Sequence, residues 1–558
     1  MPENTADLAP HPGTAVGLAG SRRELDDAVH TVLGPDARLR PEQRDALRRL
    51  ADGDVLLVAR TGAGKTAVYA IATLLIGRPA VVVSPLLALQ RDQVAALHEA
   101  GLRAAAASSA GGAARHRAAL EGFAAGDLDV LLLAPEQLAR PDVVAAVERA
   151  EPGLVVVDEA HCVSEWGHDF RPDYRHVTGL VERLGHPRVL AMTATASADV
   201  RRQIVEGLGM RDPAVVVHDA DRPGIWLGVH HAATERERDA LVIDLAAEEP
   251  GAVIVYARTK RHVESLAEAL HAAGRPALRY HAGLPPKERQ RVERTFLDGH
   301  ADLVVATSAF GMGVDRADVR LVVHAGAPPS LEQYWQEVGR AGRDEEPARA
   351  VLVARAEDVA LNRYLRGSAG PRRETLAAVL RCLGDEPMDR PALASATGLA
   401  ARTLARALAE LVDVDAVRRV GDRFAGTETS VRDAAEAVAQ RHEHRATLDR
   451  SRVELMRTYA DTTDCRRRVL LELLGEEHPH VCGRCDSCDA GTSVEVHAGP
   501  LRPGQHVRHQ AWGGGVVSVV EADRVTVLFE SRGYVALDTA VALDSGVLTP
   551  DEPHEQSA

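Results

Sequence analysis

Short, unbroken apolar runs recur along the first part of the chain, each followed by a longer stretch with helical spacing. The first series comprises DVLLVA at 54–59, AVVVSP at 80–85, DVLLLAP at 129–135, LVVVDEA at 154–160 and RVLAMTA at 188–194. Val and Leu runs without polar alternation predict strands buried on both faces, as in a parallel sheet covered by helices. A second series, AVIVYA at 252–257, ALRYHAG at 277–283, DLVVATS at 302–308, RLVVHAG at 320–326 and RAVLVAR at 349–355, repeats the pattern. Two α/β domains in tandem are expected, over 21–217 and 218–366.

The pattern then changes twice. Residues 371–430 contain a short helix, a turn at Gly398, a longer amphipathic helix and a hairpin around Gly421. That order is a helix-turn-helix with a wing. A polar, Arg-rich helical stretch leads into a cysteine cluster, together forming a unit over 435–490. From 498 to 550, alternating β-branched and polar residues with Gly punctuation predict a small β-barrel. Residues 1–20 and 551–558 lack periodicity and are expected to be disordered.

Composition adjusts this picture in three places. The 558 residues carry a formal charge of −15, so attraction to nucleic acid must be local rather than global. Only three lysines occur, Lys65, Lys260 and Lys287, so a retained lysine is informative. No apolar run approaches ~18 residues, which predicts a soluble, cytoplasmic chain without a membrane partner.

The first strand ends in Ala59-Arg60-Thr61-Gly62-Ala63-Gly64-Lys65-Thr66 and opens a helix. Strand, Gly-containing loop, Lys-Thr and helix form a phosphate cradle: Thr61, Gly62, Ala63 and Gly64 supply backbone N–H groups, Lys65 reaches the β and γ groups, and Thr66 ligates Mg²⁺. Asp158-Glu159-Ala160-His161 follows LVVV. Asp158 at that strand end can hold Mg²⁺ while Glu159 orients the attacking water. ATP and Mg²⁺ are the implied ligands.

Four cysteines, Cys465, Cys482, Cys485 and Cys488, fall within 24 positions. Their spacing suits a closed tetrahedral structural Zn²⁺, with Cys465 donated by a helix and three by a tight knuckle.

With the phosphate loop and acidic box in place, the sequence resembles superfamily 2 helicases. His161-Cys162-Val163-Ser164-Glu165-Trp166-Gly167-His168-Asp169-Phe170-Arg171-Pro172 narrows this to the aromatic-rich loop of RecQ-family DNA helicases. The resemblance implies two RecA-like domains and a DNA-sensing loop in which Trp166, His168, Phe170 and Arg171, near Tyr174, meet unpaired bases and phosphates. Arg40-Pro41-Glu42-Gln43 matches the family's adenine-reading motif, with Arg40 and Gln43 as base contacts. VVVSPLLALQRDQV at 81–94 corresponds to the DNA-strand contact and Ala191–Ala196 to the coupling motif. Thr307-Ser308-Ala309-Phe310-Gly311-Met312-Gly313-Val314-Asp315 and Gln336-Glu337-Val338-Gly339-Arg340-Ala341-Gly342-Arg343-Asp344 match the last two motifs. They imply nucleotide contacts from Asp315 and Gln336, and DNA contacts from Thr307 and Phe310. Arg340 and Arg343, three apart after a helix, are expected on one face, both pointing across the cleft at the γ-phosphate.

The winged-helix-like segment precedes the zinc unit, whereas the usual family order is the reverse. The terminal barrel resembles the SH3-like or Tudor-like domain of UvrD-type helicases through Val507-Arg508-His509 and Trp512-Gly513-Gly514-Gly515. That resemblance implies a protein partner such as RNA polymerase. Phosphate-facing basic residues are expected at Arg466-Arg467-Arg468 and around Arg171. The combined expectation is a DNA-stimulated ATPase and 3′–5′ helicase of DNA repair and recombination, acting on single-stranded and partly duplex DNA at the nucleoid. An RNA helicase and an ATP-gated DNA-binding regulator are the alternatives.

Overall fold

The computed structural model describes residues 22–60, 62–85, 87–108, 112–164, 171–218, 221–311, 316–358, 370–421, 423–476, 478, 480–493, 500–529 and 531–550. Both expected disordered ends, Thr61, the loop residues Trp166, His168 and Phe170, and Asp315 lie outside them.

The first sheet has seven parallel strands: β1 Val55–Val58, β2 Ala80–Val83, β3 Ala104–Ala107, β4 Val130–Leu133, β5 Leu154–Val157, β6 Arg188–Thr193 and β7 Ala214–Val217. Their order is β3-β4-β2-β5-β6-β1-β7. All five predicted strands are present. The two additions are edges: β3 is four alanines, which carry little strand preference, and β7 is partly exposed.

The second sheet has six parallel strands: β8 Ile225–His231, β9 Ala252–Ala257, β10 Leu278–Tyr280, β11 Leu303–Ala306, β12 Val319–Ala325 and β13 Ala348–Ala354. Their order is β10-β11-β9-β12-β13-β8. Edge strand β8, IWLGVHH, escapes sequence reasoning because Gly228 and two histidines interrupt its apolar run.

Next come helices Arg373–Cys382, Arg390–Thr397 and Ala401–Asp413, then hairpin β14 Val417–Val420 and β15 Arg423–Gly426. They share one core through Leu376, Leu393, Leu404, Leu408, Leu411 and Phe424. The expected helix-turn-helix and wing are therefore realised, with Gly398 closing the first of the two helices.

A 31-residue helix, Val431–Asp461, leads to helix Arg466–Leu473 and the cysteine knuckle. This unit is not a separate body. Its Leu455, Tyr459, Val469 and Leu470 lie in one apolar core with Leu227, Ile254, Tyr334 and Trp335 of the second sheet domain. The knuckle caps edge strand β8: Leu227 N donates to Arg484 O at 3.3 Å, Val229 N to Asp486 Oδ2 at 2.9 Å, and Trp226 Nε1 to Asp489 Oδ2 at 2.8 Å. A sheet edge otherwise open to pairing is thereby covered.

The Arg466–Arg468 run needs correction. These side chains are 6%, 1% and 3% exposed, and they pair with Asp486, Asp221 and Asp464 respectively. A buried guanidinium needs a fixed anion, and here protein carboxylates supply it, so the run is an internal clamp and faces no phosphate.

The last strands, β16 His506–His509, β17 Gly513–Val520, β18 Arg524–Phe529, β19 Gly533–Asp538 and β20 Leu548–Pro550, form one antiparallel sheet in the order β19-β18-β17-β16-β20. It rests on the long helix, where Tyr534 N donates to Ser451 Oγ at 3.1 Å and Thr462 Oγ1 to Glu521 Oε1 at 2.6 Å.

Candidate active site and metal centre

The phosphate loop leaves β1 and enters helix Lys65–Ile76. Gly64, at φ 71°, brings its backbone so close to Gln43 that a Cβ there would lie 2.5 Å from the Gln43 amide nitrogen. Only glycine fits, because both the left-handed backbone and the approach exclude a side chain. Gln43 Nε2 donates to Ala63 O at 3.0 Å, Gln43 Oε1 accepts from Arg40 N at 3.0 Å, and Arg40 Nη1 donates to Gly62 O at 2.6 Å. The 40–43 segment thus braces the loop from behind. Lys65 Nζ donates to Ala59 O at 3.1 Å, the retracted position of an ammonium with a long stem.

Asp158 and Glu159 stand at the end of β5. Asp158 is buried, with Gln93 Nε2 donating to Oδ2 at 2.8 Å and Glu159 N to Oδ1 at 3.0 Å. Burial, then the neighbouring Glu159, pushes its carboxyl up to about 6 against the pull of Lys65. Two adjacent carboxylates in a dry site, one already resisting ionisation, form a donor set that calls for a cation. Asp158 suits a divalent ion there, and Thr66 is the second residue of the helix that follows the loop. Glu159 takes a left-handed backbone, φ 48°, uncommon for a non-glycine residue.

Sequence reasoning missed the lining behind these acids. His161 Nδ1 lies 3.3 Å from Glu159 Oε2 and 3.0 Å from Thr193 Oγ1, joining the acidic box to the end of β6. Burial, then Lys65 and Arg171, drives its pKa down to about 3, so the ring is neutral. Gln93, from the stretch read as a DNA contact, instead holds Asp158. No local signal marks either role, since both depend on which strands are neighbours.

Three readings change here. Tyr174 is 1% exposed and donates its hydroxyl to Asp158 O at 3.0 Å, so it is a strut beneath the acidic box and not a stacking platform. Phe310 is 1% exposed, its ring 4.9 Å from Tyr280 and 5.7 Å from Phe296. Burying that ring against other aromatics is worth roughly 2–3 kcal/mol, and it leaves no face for a DNA base. Thr307, half-buried, starts the turn that puts Phe310 there: Phe310 N donates to Thr307 O at 2.9 Å.

The third concerns the arginines. Helix Leu331–Val338 ends before them and Gly342 turns at φ 55°, so helical spacing does not apply. Arg340 is 4% exposed, directed at the Tyr256 hydroxyl and at Gly311, where a Cβ would lie 3.1 Å from Nη2. Arg343 stands against the phosphate loop: its Nε lies 4.0 Å from the Cβ position of Gly62. Gln336 is half-buried on the preceding helix. Arg171 donates to Pro85 O at 2.9 Å, which ties the end of the aromatic loop to the end of β2.

The four cysteine sulfurs lie within 4.8 Å of one another, Cys482 and Cys488 at 3.9 Å. A tetrahedral Zn²⁺ with bonds of ~2.3 Å requires sulfurs ~3.8 Å apart, so this set fits the ion. Backbone N–H groups donate to the sulfurs of Cys465, Cys482 and Cys485 at 3.2–3.4 Å, as thiolate ligands require.

Known proteins match this architecture piece by piece. The DEAD/DEAH box helicase family matches residues 40–203, the helicase conserved C-terminal domain 237–345 and the RecQ zinc-binding family 413–489. The ATP-dependent DNA helicase RecQ of Synechocystis sp. is 31% identical over 494 residues, covering 84% of this chain and 99% of that protein. The chain belongs to the RecQ family of ATP-dependent DNA helicases. A probable ATP-dependent DNA helicase RecS of Bacillus subtilis is 36% identical over 344 residues, covering 61% of this chain and 69% of that protein. The match to RecQ of Pasteurella multocida, 34% identical, covers 64% of this chain and only 57% of that longer protein. The terminal sheet, 501–544, matches a family of unknown function, DUF3553. Among solved structures, the DUF1998 helicase MrfA bound to DNA shares the fold, with TM-score 0.52 and 20% identity over 77% of this chain and 64% of that one. Among the described residues no helix is long and apolar enough to cross a membrane.

Proposed function

We propose that this RecQ-family chain hydrolyses ATP at the cleft between its two sheet domains and uses the cycle to move 3′ to 5′ along single-stranded DNA, unwinding duplexes in repair and recombination. The observation that carries this reading is the approach of Arg343 to Gly62, which sets a cation of the second domain against the phosphate loop of the first. Lys65 and the loop amides bind the phosphates, and Arg40 and Gln43 set the loop for the base. Glu159 orients water, and Arg343 stabilises the charge that develops on the transferred group. Gln336, Asp315 and Arg340 complete the second-domain side. Thr66 and Asp158 would hold Mg²⁺, which would supply positive charge against the phosphates.

On the DNA side, Trp166, His168, Phe170, Arg171 and Thr307 meet the single strand, and the helix-turn-helix with its wing contacts the duplex. Zn²⁺ at the four cysteines is structural. The domain divisions expected from sequence are retained, and the terminal sheet is assigned an SH3/Tudor-like role in binding a protein such as RNA polymerase at the nucleoid. An ATPase stimulated by single-stranded DNA, with unwinding of 3′-tailed but not 5′-tailed duplexes, is the expected result. Preferential stimulation by RNA, or unwinding from a 5′ tail, would replace the reading.

A further inference from the structure

Arg222, just ahead of β8, is a charged side chain only 7% exposed. Its guanidinium donates from Nη1 to Gly339 O at 3.0 Å, and from Nη2 to Ala341 O at 2.7 Å and Gly342 O at 3.0 Å. Those carbonyls belong to the turn carrying Arg340 and Arg343. They follow a helix end, where carbonyls lack intrahelical donors, and a planar fork satisfies several at once. Gly339 O also accepts from Arg343 Nε at 3.4 Å, so both arginines grip one oxygen.

This placement is costly. Burial first, then Arg60 and Arg343, pushes the Arg222 pKa down to about 10. A cation crowded by two others stays only where its acceptors are fixed. The neighbouring residue supplies a second anchor: Asp221 Oδ1 accepts from Arg222 N at 2.7 Å and is ion-paired with Arg467 of the zinc-unit helix. Arg467 in turn donates to Ile225 O and reaches the sulfur of Cys482.

We infer that Arg222 is a positioning residue for Arg343: it holds the 339–342 turn at the height where the Arg343 guanidinium meets the phosphate loop, and Asp221–Arg467 fixes that setting to the zinc unit. The inference rests on the role given to Arg343 above. Displacing a catalytic cation by ~1 Å costs on the order of 10²-fold in turnover, so a residue that never touches ATP can govern its hydrolysis.

The test uses the full-length, zinc-loaded protein as Arg222→Ala, Arg222→Lys, Arg343→Ala and the double Arg222→Ala/Arg343→Ala, with DNA-stimulated kcat, KM for ATP, zinc content and melting temperature measured. Arg222→Ala should lower kcat by at least about tenfold with KM within about threefold, because the interaction is made only in the transition state. Arg222→Lys, one nitrogen in place of a fork, should fall between it and the parent. The double variant should be no slower than Arg343→Ala alone, since Arg222 acts through Arg343. Losses that multiply in the double variant, a rise in KM matching the fall in kcat, or parental kcat in a folded Arg222→Lys would each overturn the inference. Failure of both Arg222 variants to fold would assign the residue to stability and overturn it as well. Full activity of Arg343→Ala would instead remove the reading of the cleft on which the inference depends.

Discussion

The two sheets are built on one plan and used differently. In the first, the strand ends carry chemistry, a phosphate loop after β1 and paired acids after β5. Its side chains pack into cores made only of residues 28–216. In the second, the described strand ends carry no Gly-Lys phosphate loop. Its core continues through Tyr459 and Val469 into the zinc unit and reaches Val519 of the terminal sheet. One half is a closed nucleotide-handling body. The other is a base to which the zinc unit and the terminal sheet are fused, so any movement of its arginines toward the phosphate loop carries those parts along.

The sharpest way to break this comparison is to disable the first half's chemistry and leave its body intact. Glu159→Gln keeps shape and removes the carboxylate that orients water. Turnover should fall on the order of 10³-fold while binding of a fluorescent ATP analogue changes little. Residual hydrolysis within about tenfold of the parent would move the water-orienting role elsewhere.

The second test strikes the fused half. Cys482→Ala opens the zinc set and releases the knuckle that covers β8. Losing a structural metal site costs about 3–5 kcal/mol or more, and here the loss should appear in the second half, because the first shares no core with the knuckle. Calorimetry should show one transition shifted down and a second, belonging to residues 22–218, nearly unmoved. A single transition shifted as a whole would show that the halves melt together.

What could be read from sequence follows the same division. The phosphate loop, acidic pair and cysteine set are local: their function needs residues within a few positions, so spacing alone specifies them. The central strands were legible because continuous Val and Leu runs admit little else. β3 and β8 were not, since four alanines and a run broken by Gly228 and two histidines carry little strand signal, whereas β7 has the same AVVV as β2. The errors came from residues whose meaning is set by distant neighbours. Arg466–Arg468 reads as a basic patch until Asp221, Asp464 and Asp486 are seen to meet it, and Phe310 reads as a DNA contact until Tyr280 and Phe296 close over it. Arg340 and Arg343 share a helical spacing that the turn at Gly342 cancels. Rarity was a better guide for Lys65 than for the aromatics, whose count cannot separate a core ring from a stacking one.

The smallest expected effect lies at the joint between zinc unit and terminal sheet. There Glu472 faces Arg468 at 3.9 Å and Arg468 also pairs with Asp464, so one guanidinium is shared by two carboxyls, with Glu521 nearby. Burial first, with Asp464, Cys465 and Glu521 adding to it and Arg468 opposing, pushes the Glu472 carboxyl up to about 8 from 4.5. The folded chain therefore keeps a proton that the unfolded chain gives up, and stability declines as pH rises from 4.5 through 8. Above that window the full penalty applies, on the order of 2 kcal/mol once the partial solvent contact of the site is allowed for. Glu472→Gln, neutral at every pH, should melt higher than the parent at pH 8.5 and at the same temperature near pH 5. Each additional kcal/mol moves the transition of a unit this size by roughly 2–4 °C, within reach of a thermal scan. Equal melting at pH 8.5 would mean that Arg468 fully compensates Glu472.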